Sequence, residues 1–202
     1  GRRIAQPQEI IVTVQVQLMN WKIAHEMRAS QPEPKTVQRW EPPDEGWVKI
    51  NSDGAVSKHG DKGGGGAVFR DHHGAFRAGM CHFFPNTVDP EMAEVLACRR
   101  AVQETINLHI QRAHVELDNQ AVFLMLNSPE KSLSVVGPWV QDIKAMLHSM
   151  EEAKVTCVSR SGNVAAHKLA KVGVGDNRSE LWVGSPPDFL LDVIADEIPS
   201  FV

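Results

Sequence analysis

Three strand-like segments in a row, followed by alternating helical and strand-like segments, constrain the fold of this chain more than any other feature. Residues 47–51 alternate apolar and polar side chains, as a half-buried strand does. Residues 62–66 predict a glycine-rich turn, and strands are predicted at residues 67–70 and 75–84, on either side of a hairpin turn. The simplest interpretation is three antiparallel strands.

Helical periodicity then begins at Pro90, a residue that is tolerated in the first turn of a helix. Short strands are predicted at residues 114–118 and 155–158. Further helices are predicted, in chain order, over residues 121–126, 136–150 and 163–172. The order βββαβααβα predicts an α/β (α+β) fold in which a five-stranded mixed sheet carries helices on both faces.

The segments that flank this pattern predict extensions rather than further domains. One amphipathic helix that ends near Ser30 is indicated, although residues 12–16 also alternate like a strand. The apolar residues at helical spacing are Ile11, Val14, Leu18 and Trp21. We expect an N-terminal helix and linker over residues 1–38, a domain over 39–177 and an acidic C-terminal tail over 178–202. Both flanks are expected to add little to the core.

Charge is distributed unevenly along the chain, whose formal net charge is −4. Residues 47–175 hold fourteen basic and thirteen acidic residues, whereas residues 176–202 hold one basic and six acidic residues. The central part is therefore close to neutral although it includes the acidic candidates described below. This balance permits contact with phosphates.

Three scattered cysteines, Cys81, Cys98 and Cys157, form no CxxC pair. We therefore expect buried free thiols in a reducing intracellular compartment rather than disulfides or a zinc site. No apolar run is long enough for a transmembrane helix, so no membrane partner is expected. The chain begins at Gly1 without a signal-peptide pattern, which suits a processed start or a fragment of a longer polyprotein. We expect a monomer.

Three acidic residues occupy positions from which their side chains could meet. Asp53 follows the first strand, Glu94 lies in the first turns of the first long helix, and Asp118 ends the fourth strand. Each also has an ordinary structural explanation. Asp53 could be a turn residue beside Gly54, and Glu94 could complement the helix dipole. Asp118 could cap the helix that follows Asn119.

The combination of the three acidic residues predicts a metal site. Strands one and four are neighbours in this topology, and a helix packed across them would bring Glu94 towards Asp53 and Asp118. Carboxylates that share a small space can all be ionised only when cations neutralise them, and hard oxygen ligands select Mg²⁺ or Mn²⁺. Two such ions about 4 Å apart activate water and stabilise the leaving oxygen in phosphodiester cleavage.

Five motifs follow one another between residues 40 and 173. They are WEPPDEGWVKINSDGA (40–55), GGGGAVFRDHHGAF (63–76), AEVLACRRAV (93–102), VELDNQAV (115–122) and SRSGNVAAHKLAKVG (159–173). In this order they resemble type 1 ribonuclease H, and in particular the plant ribonuclease H-like domains that are related to non-LTR retroelement reverse transcriptases. The C-terminal stretch WVGSPPDFLLDVIADE (182–197) also resembles the tail of that branch.

The resemblance implies a function and a set of site residues. The function is endonucleolytic hydrolysis of the RNA strand of an RNA–DNA hybrid, recognised by groove shape and 2′-hydroxyls rather than by sequence. Asp53 would bridge two metal ions, Glu94 would hold one, and Asp118 would hold the ion on the nucleophile side. The residues that would contact nucleic acid are Gly54, Ala55, Asn119 and Asn163.

One position departs from the catalytic pattern of type 1 ribonuclease H. Those enzymes carry an aspartate in an Asn-x-x-Ala-Asp-x-Leu-Ala frame at the start of the last helix, where this chain has His167. Neutral imidazole can bind a divalent ion or move a proton, but it binds Mg²⁺ more weakly than a carboxylate does. We expect His167 to face the carboxylates. The alternative for His167 is an ordinary surface histidine. The alternative for the chain is a nucleic-acid-binding module of the same fold that no longer cuts.

Overall fold

The computed structural model describes residues 39–130 and 132–197, which belong to one compact unit. The predicted N-terminal helix and linker over residues 1–38 lie outside the described residues. None of the described helices is both long enough and apolar enough to cross a membrane.

Six strands in the described part of the chain form a single mixed sheet. They are β1 (Val48–Val56), β2 (Lys62–Arg70), β3 (Phe76–Pro85), β4 (Arg112–Leu117), β5 (Glu152–Cys157) and β6 (Glu180–Val183). Their order across the sheet is β5-β4-β1-β2-β3-β6. The β1–β4 and β4–β5 pairs are parallel, and the other pairs are antiparallel. The predicted mixed sheet is confirmed, with one strand more than the five expected.

Within residues 39–130 and 132–197, five α-helices cover both faces of this sheet. They are α1 (Pro90–Asn107), α2 (Gln120–Asn127), α3 (Gly137–His148), α4 (Val164–Gly175) and α5 (Asp188–Glu197). Side chains alternate along a strand, so the neighbours Val68 and Phe69 on β2 point to opposite faces. Phe69 joins the apolar cluster formed with α1 and α3, whereas Val68 joins a second cluster with Leu169 of α4 and Leu190 of α5. The predicted helices on both faces are therefore confirmed.

The glycine-rich residues 62–66 form the first part of β2, and the predicted turn at this place is wrong. A Cβ atom at Gly66 would overlap the backbone of α4, and one at Gly65 would lie 2.8 Å from the Cβ of Ala97 on α1. Glycine favours turns when it is judged locally. Here the missing side chains allow two helices to pack directly onto the strand from opposite faces.

The C-terminal residues are not the extended acidic tail that the sequence predicts. β6 pairs antiparallel with β3, and α5 packs against α4. Leu190 and Ile194 of α5 are buried in the apolar cluster beside α4, and Glu197 is only 6% exposed. Pro186 and Pro187 suggested a tail because proline interrupts regular structure. They instead separate a short strand from a helix.

The three cysteines are free thiols, as predicted. Cys81 and Cys98 are buried, which is typical of cysteine in apolar surroundings. Cys157 is exposed at the end of β5, so the prediction that all three are buried is wrong for this residue. β5 is an edge strand, and the last residue of an edge strand has no neighbour on its outer side.

Candidate active site

The pairing of β1 with β4 brings two aspartates together. Asp53 lies within β1, because this strand continues to Val56, rather than after it as predicted. The parallel register pairs Ser52 with Leu117, the last residue of β4. Asp118 therefore follows β4 directly beside Asp53.

A close approach between β1 and α1 brings Glu94 to the same place. The Asp89 carboxylate caps α1 by accepting a 2.7 Å hydrogen bond from the Met92 amide, so the helix begins at Pro90 and Glu94 lies near its start. A Cβ atom at Gly54 would overlap the backbone of Ala93 and Glu94. The Gly54 amide also donates a 2.9 Å hydrogen bond to Glu94 Oε2. A glycine at this position thus allows the helix to contact the strand and orients the glutamate.

The three carboxylates converge, as the sequence predicted. One oxygen from each of Asp53, Glu94 and Asp118 lies within 4.8 Å of the other two. Asp53 is only 3% exposed, the side chain of Asp118 is 8% exposed, and Glu94 is partly buried. The site is therefore a recessed cluster at the end of β1 and β4 rather than an open surface patch.

Burial, together with mutual repulsion, raises the pKa values of carboxyl groups in this cluster. Burial raises the pKa of Glu94 to about 8, the charges of Asp53 and Asp118 add to this effect, and hydrogen bonds from Gly54 and Asn119 oppose it. Burial also raises the pKa of Asp53 to about 6, and its hydrogen bond with His167 opposes the shift. A divalent cation would relieve the repulsion, so these hard oxygen donors fit Mg²⁺ or Mn²⁺.

His167 faces the cluster from the start of α4, as predicted. Its Nδ1 lies 2.7 Å from Asp53 Oδ2, and its side chain is 48% exposed. When Asp53 is ionised, Nδ1 must donate the hydrogen bond, because a carboxylate can only accept one. Nε2 is then the nitrogen that is left to bind a cation or to carry a proton.

The residues predicted to contact nucleic acid differ in their exposure and in the hydrogen bonds that they already make. Asn163 is 1% exposed and donates a 3.0 Å hydrogen bond to the Ser52 carbonyl oxygen, so it ties the start of α4 to β1. The prediction of a surface contact from Asn163 is therefore wrong. The amide of Gly54 is already engaged by Glu94. Ala55 and Asn119 are half-buried, and their contacts with nucleic acid stay predictions.

Arg160 was not predicted as a site residue, and it lies in the short 3-10 helix Arg160–Gly162 before α4. Its side chain is 94% exposed, and its Nε lies 3.8 Å from Asp118 Oδ2. Residue type and spacing did not distinguish this arginine from a solvated loop residue. Its position depends on how the β5–α4 connection crosses the end of β4, which only the fold shows.

The stability of the metal-free chain is expected to fall as the pH rises from about 5 to about 8. The pKa of Glu94 is raised from 4.5 to about 8 in the folded chain, so in this range the folded chain holds a proton that the unfolded chain releases. The stabilisation is complete at low pH and is lost as the pH rises through the folded pKa. One such group changes the free energy of unfolding by at most about 1.4 kcal/mol per pH unit.

Melting temperatures measured in a chelator across this pH range test that expectation. Glu94→Gln should flatten the profile, because the amide does not ionise. Glu130→Gln, which alters an exposed glutamate, is the matched control and should leave the profile unchanged. Equal slopes for the wild-type chain and Glu94→Gln would contradict the prediction.

Solved structures with the same fold come from the ribonuclease H group. The N-terminal RNase H domain of a Mycobacterium tuberculosis protein is 19% identical, with a TM-score of 0.59 over 64% of this chain and 94% of that one. RNase H1 from Halobacterium salinarum is 19% identical, with a TM-score of 0.57 over 65% and 99%. LC11-RNase H1 in complex with an RNA/DNA hybrid is 15% identical, with a TM-score of 0.58 over 64% and 98%. These similarities establish a ribonuclease H-like fold.

Sequence comparison gives the family. None of the curated proteins compared with the chain matches it. The model of the reverse transcriptase-like family matches residues 51–173, which is more than half of the 202 residues and includes all three clustered carboxylates. The chain therefore belongs to the reverse transcriptase-like family and contains a ribonuclease H-like domain.

Proposed function

We propose that this chain is a metal-dependent ribonuclease that hydrolyses the RNA strand of an RNA–DNA hybrid. The observation that carries the proposal is the convergence of Asp53, Glu94 and Asp118 within 4.8 Å in a ribonuclease H-like fold. The hybrid bound to LC11-RNase H1, which has the same fold, supports the choice of substrate. The five sequence motifs support the finer assignment to the plant branch related to retroelements.

The three carboxylates would hold Mg²⁺ or Mn²⁺, which when bound stabilises charge on a reacting phosphate and activates water. The carboxylate side chains are already positioned in the metal-free chain. The Gly54 amide orients Glu94, and the parallel β1–β4 register fixes Asp53 beside Asp118. Because Asp53 is almost completely buried, its oxygens are positioned by the strand rather than by solvent.

His167 holds Asp53 in place through the 2.7 Å contact and leaves Nε2 at the exposed side of the cluster. An imidazole supplies no negative charge to attract a second cation, whereas an aspartate would. We therefore expect slower turnover than a four-carboxylate site allows, and relatively better activity with Mn²⁺, since imidazole binds Mn²⁺ better than Mg²⁺.

Cleavage of a labelled RNA–DNA hybrid by the full chain, with Mg²⁺ and separately with Mn²⁺, tests the proposed function. The expected product is a set of RNA fragments, with the DNA strand and duplex DNA left intact. If neither ion supports cutting while the hybrid still binds, the chain is instead a nucleic-acid-binding module of the same fold. His167 at the position of the fourth acid is the observation that favours this second candidate.

Replacing His167 with aspartate is expected to raise the Mg²⁺-dependent cleavage rate by about tenfold or more, since losing a group that supports a metal site typically costs about 10- to 100-fold and this change supplies one. The added carboxylate would help to hold a second cation. It would also increase repulsion and remove the contact with Asp53, so the melting temperature in a chelator should fall. Single-turnover cleavage and thermal melting measure the two effects.

His73→Asp is the matched control for this substitution, because His73 is exposed on the β2–β3 turn, which follows Arg70, four residues along β2 from Gly66, the partner of Asp53. It should change neither the cleavage rate nor the melting temperature substantially. A wild-type chain that does not cut, together with a His167→Asp chain that does not gain cutting, would favour the binding module.

A further inference from the structure

Arg160 places a positive charge beside the carboxylate cluster. Among the described Lys and Arg side chains, it is the one whose ion pair reaches a member of this cluster, with Nε 3.8 Å from Asp118 Oδ2. His167 is the other basic side chain at the cluster, on the side of Asp53. The two basic groups therefore contact different aspartates of the cluster: Arg160 lies beside Asp118, and His167 lies beside Asp53.

The backbone beneath Arg160 is held by hydrogen bonds on both sides. The Val158 amide donates to the Leu117 carbonyl oxygen at 2.8 Å, and the Asn163 amide donates to the Arg160 carbonyl oxygen at 3.1 Å. Asn163 in turn binds the carbonyl oxygen of Ser52 on β1. The turn that carries Arg160 is thus joined to both strands that carry the aspartates.

The ion pair of Arg160 does not explain the residue as a structural element. Its side chain is 94% exposed, whereas that of Asp118 is only 8% exposed, and a solvated guanidinium 3.8 Å from its partner contributes little to stability. The guanidinium instead presents several donors to solvent at the rim of a cluster that repels anions. A planar fork of N–H groups matches a phosphodiester, with which arginine forms two parallel hydrogen bonds.

We infer that Arg160 binds a backbone phosphate of the nucleic acid next to the carboxylate cluster and so positions the strand at the site. This inference rests on the proposed function and names a contact for its substrate. Such phosphate contacts set register and orientation without reading sequence. Arg160 is then a positioning residue for the nucleic-acid strand. Its positive charge is needed for binding, and the fold does not depend on it.

The salt dependence of binding tests the inference. Dissociation constants of the full chain for a fluorescent RNA–DNA hybrid are measured with Ca²⁺ between about 50 and about 200 mM salt. Ca²⁺ accepts oxygen ligands in flexible geometry, so it can neutralise the carboxylates in place of Mg²⁺. Arg160→Ala should reduce the slope of log affinity against log salt by about 0.7 to 0.9, the value of one lost phosphate contact. Arg160→Lys should retain the wild-type slope.

Arg77→Ala is the matched control, since Arg77 is also exposed and also lies 3.8 Å from an aspartate, Asp71. It is four residues along β3 from Cys81, which is level with Asp53 across the sheet. This control should keep the wild-type slope, and all three variants should melt like the wild-type chain because both arginines are exposed.

Two results would overturn the inference in distinguishable ways. If the wild-type chain binds hybrid but Arg160→Ala and Arg77→Ala have the same slope, Arg160 makes no specific phosphate contact and the proposed function stands. If the wild-type chain does not bind hybrid at the lowest salt, the proposed function fails and the inference fails with it.

Discussion

Asp53→Asn is expected to reduce hybrid cleavage by about a thousandfold or more, equivalent to about 4 kcal/mol of activation free energy. Asp53 is one of the three clustered carboxylates and also contacts His167, so its replacement removes an oxygen charge that the proposed metal site needs. The amide is nearly the same size, and the buried strand position can accept it. Hybrid binding should be largely retained, because phosphate contacts come from other parts of the surface.

Stability measurements separate this catalytic loss from misfolding. The pKa of Asp53 is raised to about 6 by burial, so its ionised form destabilises the metal-free chain near neutral pH. Asp53→Asn should therefore melt at the same temperature as the wild-type chain, or higher, in a chelator. Asp142→Asn, at an exposed carboxylate paired with Arg99, is the control and should cut like the wild-type chain. Unchanged cleavage by Asp53→Asn would contradict the proposed site.

Removal of residues 178–202 is expected to lower the melting temperature by more than about 10 °C. The truncation deletes β6 and α5, including Leu190, and exposes the remainder of that apolar cluster, which contains Leu169. It also removes Glu197, whose Oε2 accepts a 2.8 Å hydrogen bond from Arg70 Nη1. Arg70 is 0% exposed, and a buried charge without its partner costs about 3–5 kcal/mol.

Glu197 also reaches the helix that carries His167. Its Oε1 accepts a 3.0 Å hydrogen bond from the Ala165 amide in the first turn of α4. A carboxylate at this position complements the positive end of the helix dipole. The C-terminal helix should therefore affect the position of His167 as well as the stability of the fold.

Point variants isolate the ion pair from the rest of the truncation. Glu197→Ala alone should destabilise the chain by about 3 kcal/mol or more, whereas Arg70→Met combined with Glu197→Leu should recover much of that loss, because no buried charge is left unpaired. Glu151→Ala removes an exposed partner of Arg112 at 3.0 Å and should cost less than about 1 kcal/mol. A truncated chain that melts like the full chain would contradict this account.

The sequence was sufficient to predict the element order from β1 to α4 and the meeting of the three carboxylates. Strand and helix periodicities are local, so they could be recognised without knowledge of the fold. The neighbouring position of strands one and four then followed from the topology, and it placed Asp53 beside Asp118. His167 could be expected at the cluster because it stands in an Asn-x-x-Ala frame that otherwise matches the family.

Tertiary structure alone decided the roles of residues 62–66, of the C-terminal segment and of Arg160. The glycines form a strand because α1 and α4 approach it from both faces, which outweighs the local preference of glycine for turns. The C-terminal segment folds because its partners, including Arg70, lie more than a hundred residues earlier in the chain. Arg160 reaches Asp118 because the chain turns back over the end of β4. These contacts join residues that are far apart in the sequence, so local sequence patterns do not predict them.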